Sequence, residues 1–166
     1  MNLFFTPKDA KAGDVIPFFN EETKVFDNFY LKHWNPGTAK EEDKLRWHRI
    51  TTRDHRAFRE TPVNICGGTG CVVRSGGMYH MFYCTFEDKP QAQWIRHAVS
   101  RDLTDWKEIL EDRFGPDGVI YRMTDWRDPF VFWNQEEGKW WMLAAARENR
   151  PTERKGCVAL CGSDDR

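Results

Sequence analysis

The chain has 166 residues, 40% of them hydrophobic and 31% charged, with a formal net charge of −1. That length and composition describe a globular chain large enough for one real core, not a disordered one. The absence of a basic surplus argues against nucleic acid as a partner, no apolar run is long enough for a membrane helix, and the N-terminus lacks the basic and apolar regions of a secretory signal, so a cytoplasmic location is expected.

Taken in chain order, "GDVIPFF" (13–19) and "VFDNFYLKHW" (25–34) read as two apolar strands joined by the polar turn "NEETK". "WHRITTRD" follows as a third strand ending in Ser/Thr-x-Asp, and Phe58 opens a return strand. The same order recurs in "TGCVV" (69–73), "GMYHMFYCTF" (77–86) and "IRHAVSRD", with Trp106 opening the return. It starts again in "RDPFVFW" (127–133), "GKWWMLAAA" (138–146) and "CVALCGSDD". Thr52 and Ser100, Asp54 and Asp102, and Phe58 and Trp106 are each 48 residues apart. The short polar side chains of Ser/Thr-x-Asp bond to turn backbone, and so mark a hairpin at a fixed place in each unit.

Three units of four antiparallel strands make a β-propeller blade pattern. The predicted fold class is all-β: a partial five-bladed β-propeller with blade one at about 13–63, blade two at about 68–110 and blade three at about 127–166. The fourth strand of blade three falls beyond Arg166, so the sequence reads as an N-terminal portion of a catalytic propeller domain, expected to self-associate or to pack against a missing C-terminal part. The stretch "LEDRFGPDGVIYRMTDW" (110–126) is expected as a long irregular loop.

The five cysteines are Cys66, Cys71, Cys84, Cys157 and Cys161. Their x4 and x3 spacings do not match a zinc site, so buried free thiols are expected, with neither metal nor cofactor.

The functional signal lies at the heads of the first strands, which converge at one mouth of a propeller. Asp14 heads blade one, Thr69 and Gly70 head blade two, and Arg127 and Asp128 precede Pro129 in blade three. Phe130 to Trp133 read as a strand covered on both faces, so Arg127 and Asp128 open a buried strand. Proline suits only a strand's first residue or an edge. Paired carboxylates are what glycoside hydrolysis requires, and exposed aromatics can stack on sugars. Trp34 is a candidate stacking surface and Trp126 a candidate pocket wall. His48 and His97, ahead of the Ser/Thr-x-Asp turns, read as structural.

Together "GDVIPFF", "TGCVV", "HAVSRDLTDW" and "WRDPFVFW" resemble glycoside hydrolase family 32, the β-fructosidases. The resemblance implies a five-bladed propeller with an axial pocket and a carbohydrate substrate. By position it makes Asp14 the nucleophile, Asp128 the carboxylate that holds sugar hydroxyls and stabilises the transition state, and Arg127 its motif partner; Thr69, Trp34 and Trp126 join Arg127 as substrate-binding candidates. Two departures stand out. The usual Asn-Asp-Pro-Asn is here Gly13-Asp14-Val15-Ile16, and the acid/base Glu should head a fourth blade. Glu136 and Glu137 do not replace it, because they fall in a hairpin turn. The expected function is a glycosidase acting on fructosides or related furanosides, with retention of configuration. The alternatives are an inverting relative of the arabinan or xylan type, and a non-catalytic fragment that binds a sugar or a partner.

Overall fold

The computed structural model describes residues 5–8, 10–32, 45–88, 91–151 and 155–163. Eleven strands, and no helix among the described residues, form three antiparallel sheets. The first contains β1 (Ala12–Asn20), β2 (Val25–Lys32), β3 (Arg46–Thr52) and β4 (Arg59–Cys66). The second contains β5 (Gly70–Ser75), β6 (Met78–Asp88), β7 (Gln91–Ser100) and β8 (Lys107–Phe114). The third contains β9 (Tyr121–Asn134), β10 (Lys139–Glu148) and β11 (Gly156–Ser163). Each sheet is a meander in which sequence neighbours pair.

The turns follow from the residues that mark them. Asn20 Oδ1 accepts the amides of Glu22 (3.1 Å) and Thr23 (3.2 Å), and Asn134 Oδ1 those of Glu136 (2.9 Å) and Glu137 (3.2 Å). In the repeated Ser/Thr-x-Asp turns, Thr52 Oγ1 accepts from His55 N (2.9 Å) and Ser100 Oγ from Leu103 N (3.0 Å). Asp54 accepts the amides of Arg56 and Ala57, and Asp102 those of Thr104 and Asp105. These amides hold both carboxyls below the usual carboxylate range.

The chain divides into two compact units. One comprises residues 1–67 together with Ser100–Trp106, the turn segment that follows β7. Phe29, Tyr30, Leu31 and Trp47 are its fully buried centre. Inside it Arg49 Nε meets the buried Asp27 at 2.8 Å, and Arg49 Nη1 donates to the Asp102 carbonyl and Thr104 Oγ1, both at 3.0 Å. Asn64 brackets the Trp106 backbone with two bonds of 2.8 Å.

The other unit comprises Gly68–Val99 and residues 107–166. Its core gathers Cys71, Ile95, Trp126, Val131, Met142, Ala144, Ala146 and Ala159. Small alanines on β10 and β11 leave room for Trp126 from β9.

Three expectations are corrected. The stretch 110–126 is mostly strand, since β8 continues to Phe114 and β9 begins at Tyr121. Ion pairs support β8: Arg113 Nη1 to Glu87 Oε1 at 2.7 Å, and Arg96 Nη1 to Glu108 at 2.5 Å. The strand after Pro129 is not covered on both faces, because Phe130 is 58% and Trp133 42% exposed while Val131 between them is buried. The thiols are all free, but Cys66 is exposed; Cys71 and Cys84 are buried.

Candidate functional site

Six non-glycine residues among those described have a left-handed backbone, and four of them lie in turns. The other two, Asp14 (φ 36°) and Asp128 (φ 57°), sit inside strands. Both mark a break in register. Gly13 faces Leu31 and Val15 faces Tyr30, so Asp14 is the extra residue of a bulge in β1. Arg127 faces Ala145 and Phe130 faces Leu143, so Asp128 and Pro129 together oppose one residue of β10. Bulges re-aim a side chain, and asparagine or aspartate tolerates the left-handed region better than most residues because its short polar side chain can bond locally. Each such residue still costs about 1–3 kcal/mol, a strain that concentrates at functional sites. Both carboxylates are exposed.

Pro129 now has its explanation. It is fully buried, and the bulge of an edge strand needs no ladder amide there. The strand does not begin at Arg127, as the sequence suggests, but six residues earlier at Tyr121.

Arg127 faces two carboxylates. Its Nη1 lies 3.0 Å from Asp125 Oδ1, and its Nε 3.5 Å from Asp128 Oδ2. Arg147 from β10 closes the other side of Asp125, with Nε 3.1 Å from Oδ2. The order is thus Asp128, Arg127, Asp125, Arg147, with charges alternating. The Arg127 guanidinium sets a positive charge beside Asp128, and Asp125 and Arg147 fix where it points. Asp125 and Arg147 were not singled out from the sequence. The legible signal was Asp125-x-Arg127, since residues two apart share one face of a strand.

Thr69 is half-buried just before β5. Its carbonyl accepts from Cys84 N at 3.1 Å, and Gly68 N donates to the Cys84 carbonyl at 2.7 Å. Gly70 lies against the backbone of β6, where an added Cβ would stand 1.9 Å from the Phe82 carbonyl oxygen. Only glycine fits there. Trp126 is 4% exposed and packs edge-on to Phe114 at 6.2 Å and tilted to Tyr121 at 5.5 Å. It fills core, which leaves little of its ring for a sugar. Trp34 lies outside the described residues. Thr69, Trp126, Arg127 and Asp128 therefore belong to one unit, and Asp14 to the other.

His48 and His97 are tied into side-chain networks. His48 Nδ1 is 2.8 Å from Glu60 Oε1, the oxygen that also accepts from Tyr30 OH (2.6 Å) and Lys32 Nζ (2.7 Å). His97 stands between Asp112 and His80. It lines a cavity of about 680 Å³ with Phe82, Phe114, Trp140 and Met142.

No protein-family model matches the sequence, and no curated protein does. Solved structures do match the fold. An inulosucrase from Halalkalicoccus jeotgali, bound to kestose, superposes with a TM-score of 0.71 at 16% identity, over 95% of this chain and 50% of its own. A fructofuranosidase from Schwanniomyces occidentalis complexed with fructose gives 0.67 at 15% identity, over 96% of this chain and 36% of its own. A thermostable family-43 glycoside hydrolase gives 0.68 at 13% identity, over 93% of this chain and 49% of its own. The chain spans 33% of the length of a Bombyx mori family-32 β-fructofuranosidase that it also matches. The fold is that of a partial β-propeller, as the repeat predicts, and it resembles the propellers of family-32 and family-43 glycoside hydrolases.

Proposed function

We propose that this chain is part of a glycoside hydrolase acting on fructosides or related furanosides through carboxylates. The observation that carries the reading is the pair of left-handed bulges at Asp14 and Asp128, at matching places in the first strands of their sheets. The fold it shares with family-32 enzymes supports it.

In this reading Asp14 attacks the anomeric carbon and forms a glycosyl-enzyme. A carboxylic acid on the opposite face of the sugar, roughly 5–5.5 Å away in a retaining enzyme, protonates the leaving oxygen. Asp128 accepts hydrogen bonds from ring hydroxyls, and these strengthen as oxocarbenium charge develops. Arg127, held through Asp125 by Arg147, keeps the Asp128 carboxylate aimed. Thr69 offers a hydroxyl and a backbone edge at the sugar's rim.

A second reading is favoured by the family-43 neighbours, whose TM-scores of 0.57, 0.64 and 0.68 overlap the 0.61–0.67 of the fructofuranosidases. Here Asp14 is a general base acting on water, the configuration inverts, and the carboxyl groups stand roughly 6.5–9.5 Å apart. Titration of the protein with fructosides and with arabinosides, followed by isothermal calorimetry, separates the two. Preference for the fructoside supports the first reading and preference for the arabinoside the second. No binding to either, with Asp14→Asn and Asp128→Asn indistinguishable from wild type, contradicts both.

A further inference from the structure

The cavity of about 680 Å³ beside His97 opens between the second and third sheets, wholly within one compact unit. It lies toward the other end of these strands from Asp128. Ser75 ends β5, Gly76 turns the chain toward β6, and Trp140 stands near the head of β10; all three are in its wall. Asp128 lies between the pairs Arg127–Ala145 and Phe130–Leu143. Three to five residues of β10 therefore separate it from Trp140, roughly 10–17 Å of strand.

The wall is of two kinds. The larger part is aromatic or sulfur-bearing: Phe82, Phe114, Trp140, Trp141, Met78 and Met142. Rings and polarizable thioethers pack well against another flat ring. The polar part is one connected group. Asp112 Oδ2 accepts from His97 Nδ1 at 2.6 Å, and His97 Nε2 lies 3.0 Å from His80 Nδ1, with the two imidazole planes 13° apart. Phe82 stacks on His97 at 4.5 Å and 5°, so the ring that holds Asp112 is itself held. The Asp112 side chain is nevertheless 47% exposed, and its bond to His97 occupies Oδ2 only.

These features select a ligand. The volume suits a small organic molecule. Among the described residues that line the cavity there is no lysine or arginine, and the one acid is Asp112, which repels an anion. A ligand that covers the mouth takes Asp112 Oδ1 from water. An acceptor left unpaired there is costly, so the ligand must bring a donor to it.

We propose that this cavity binds a small, uncharged aromatic molecule that presents an N–H or O–H donor. The ring lies among the aromatic and methionine side chains, and the donor meets Asp112 Oδ1. His97 and His80 hold the carboxylate in place for it. The site is independent of the carbohydrate role proposed for Asp14 and Asp128.

Titration of the full chain with indole, followed by NMR, tests the proposal. Indole should saturate, moving the indole N–H signals of Trp140 and Trp141 and the ring signals of His97 and leaving the Asp128 carboxyl carbon in place. N-methylindole has the same rings without the donor. It should bind at least about tenfold more weakly, as loss of a hydrogen bond to a charged group implies. Indoleacetate, which adds an anion, should also bind more weakly than indole. In Asp112→Ala the preference for indole over N-methylindole should fall to about one. If that variant does not fold, Asp112→Asn, which keeps an acceptor but removes the charge, should show a smaller preference than wild type. The absence of saturable indole binding would overturn the proposal. So would equal affinity of the wild type for indole and N-methylindole, or a preference that neither substitution of Asp112 reduces.

Discussion

His80 Nδ1 lies 3.0 Å from His97 Nε2, and the contact is the middle of a chain of three. At one end His97 Nδ1 donates to Asp112 Oδ2 at 2.6 Å; at the other, His80 Nε2 lies 3.3 Å from the Ser75 carbonyl oxygen. Both ends accept, so each outer ring nitrogen must carry a proton. The middle contact needs one more. A fourth would set N–H against N–H. Of the residues lining the adjoining cavity, only Asp112, His97, His80 and Cys161 titrate, so no other charge offsets that fourth proton.

The consequence is acid sensitivity above the range where carboxylates titrate. Burial, and then the neighbouring His97, hold His80 below its usual value. A base whose folded pKa is depressed takes up its proton more readily when unfolded, so its stabilising contribution is present above about pH 6.5 and is lost as pH falls through the folded value. The melting temperature should therefore drop as the pH is lowered from about 6.5, and the drop should shrink in His80→Gln. Thermal melts of both proteins across that range check it; equal slopes would contradict it.

Asp27 and Arg49 give a second prediction. The Asp27 carboxylate is buried, and Arg49 Nε meets it at 2.8 Å. Burial raises the Asp27 pKa and Arg49 opposes the rise. Arg49→Met leaves a buried charge without its partner and should cost about 3–5 kcal/mol. It also removes the bonds to the Asp102 carbonyl and Thr104. Adding Asp27→Leu to Arg49→Met should recover a large share of the loss. Urea unfolding of the wild type, the single variant and the double variant measures it. A double variant as unstable as Arg49→Met alone would show that the pair is not the cause.

The edge at β11 bears on association. Among the described residues β11 pairs only with β10, and it exposes Val158 by 67% and Leu160 by 54%. An unpaired apolar edge recruits strands. The protein should self-associate at micromolar concentration, and Val158→Lys with Leu160→Lys should restore a monomer. Sedimentation velocity of both proteins decides this, and a monomeric wild type would contradict it.

These residues also show where the sequence is readable. The Thr52–Asp54 and Ser100–Asp102 turns were legible because a local bond fixes them and they recur at a constant spacing. The strand order followed from the turns. The start of β9 and the end of β8 were not legible, since their strand state rests on pairing with residues distant in the chain, Tyr121 with Glu148 and Phe114 with Ile95. Asp14 and Asp128 stood out by type and place. The bulges beneath them did not, because a left-handed backbone at an aspartate leaves no mark in composition. Trp126 beside Arg127 looked like a pocket wall, yet its ring is packed against Phe114 and Tyr121, partners that only the register supplies.

The central claim of the proposal is that Asp14 and Asp128 are both carbohydrate-binding carboxylates. The most direct measurement is a fructose titration of the isotope-labelled protein, following both carboxyl carbons. The account predicts that both carboxyls respond to the sugar, and that either Asp14→Asn or Asp128→Asn weakens binding at least about tenfold, as loss of a charged hydrogen-bond acceptor worth about 1.5–3 kcal/mol requires. A saturating sugar that moves neither carboxyl, or moves only one of them, would contradict it.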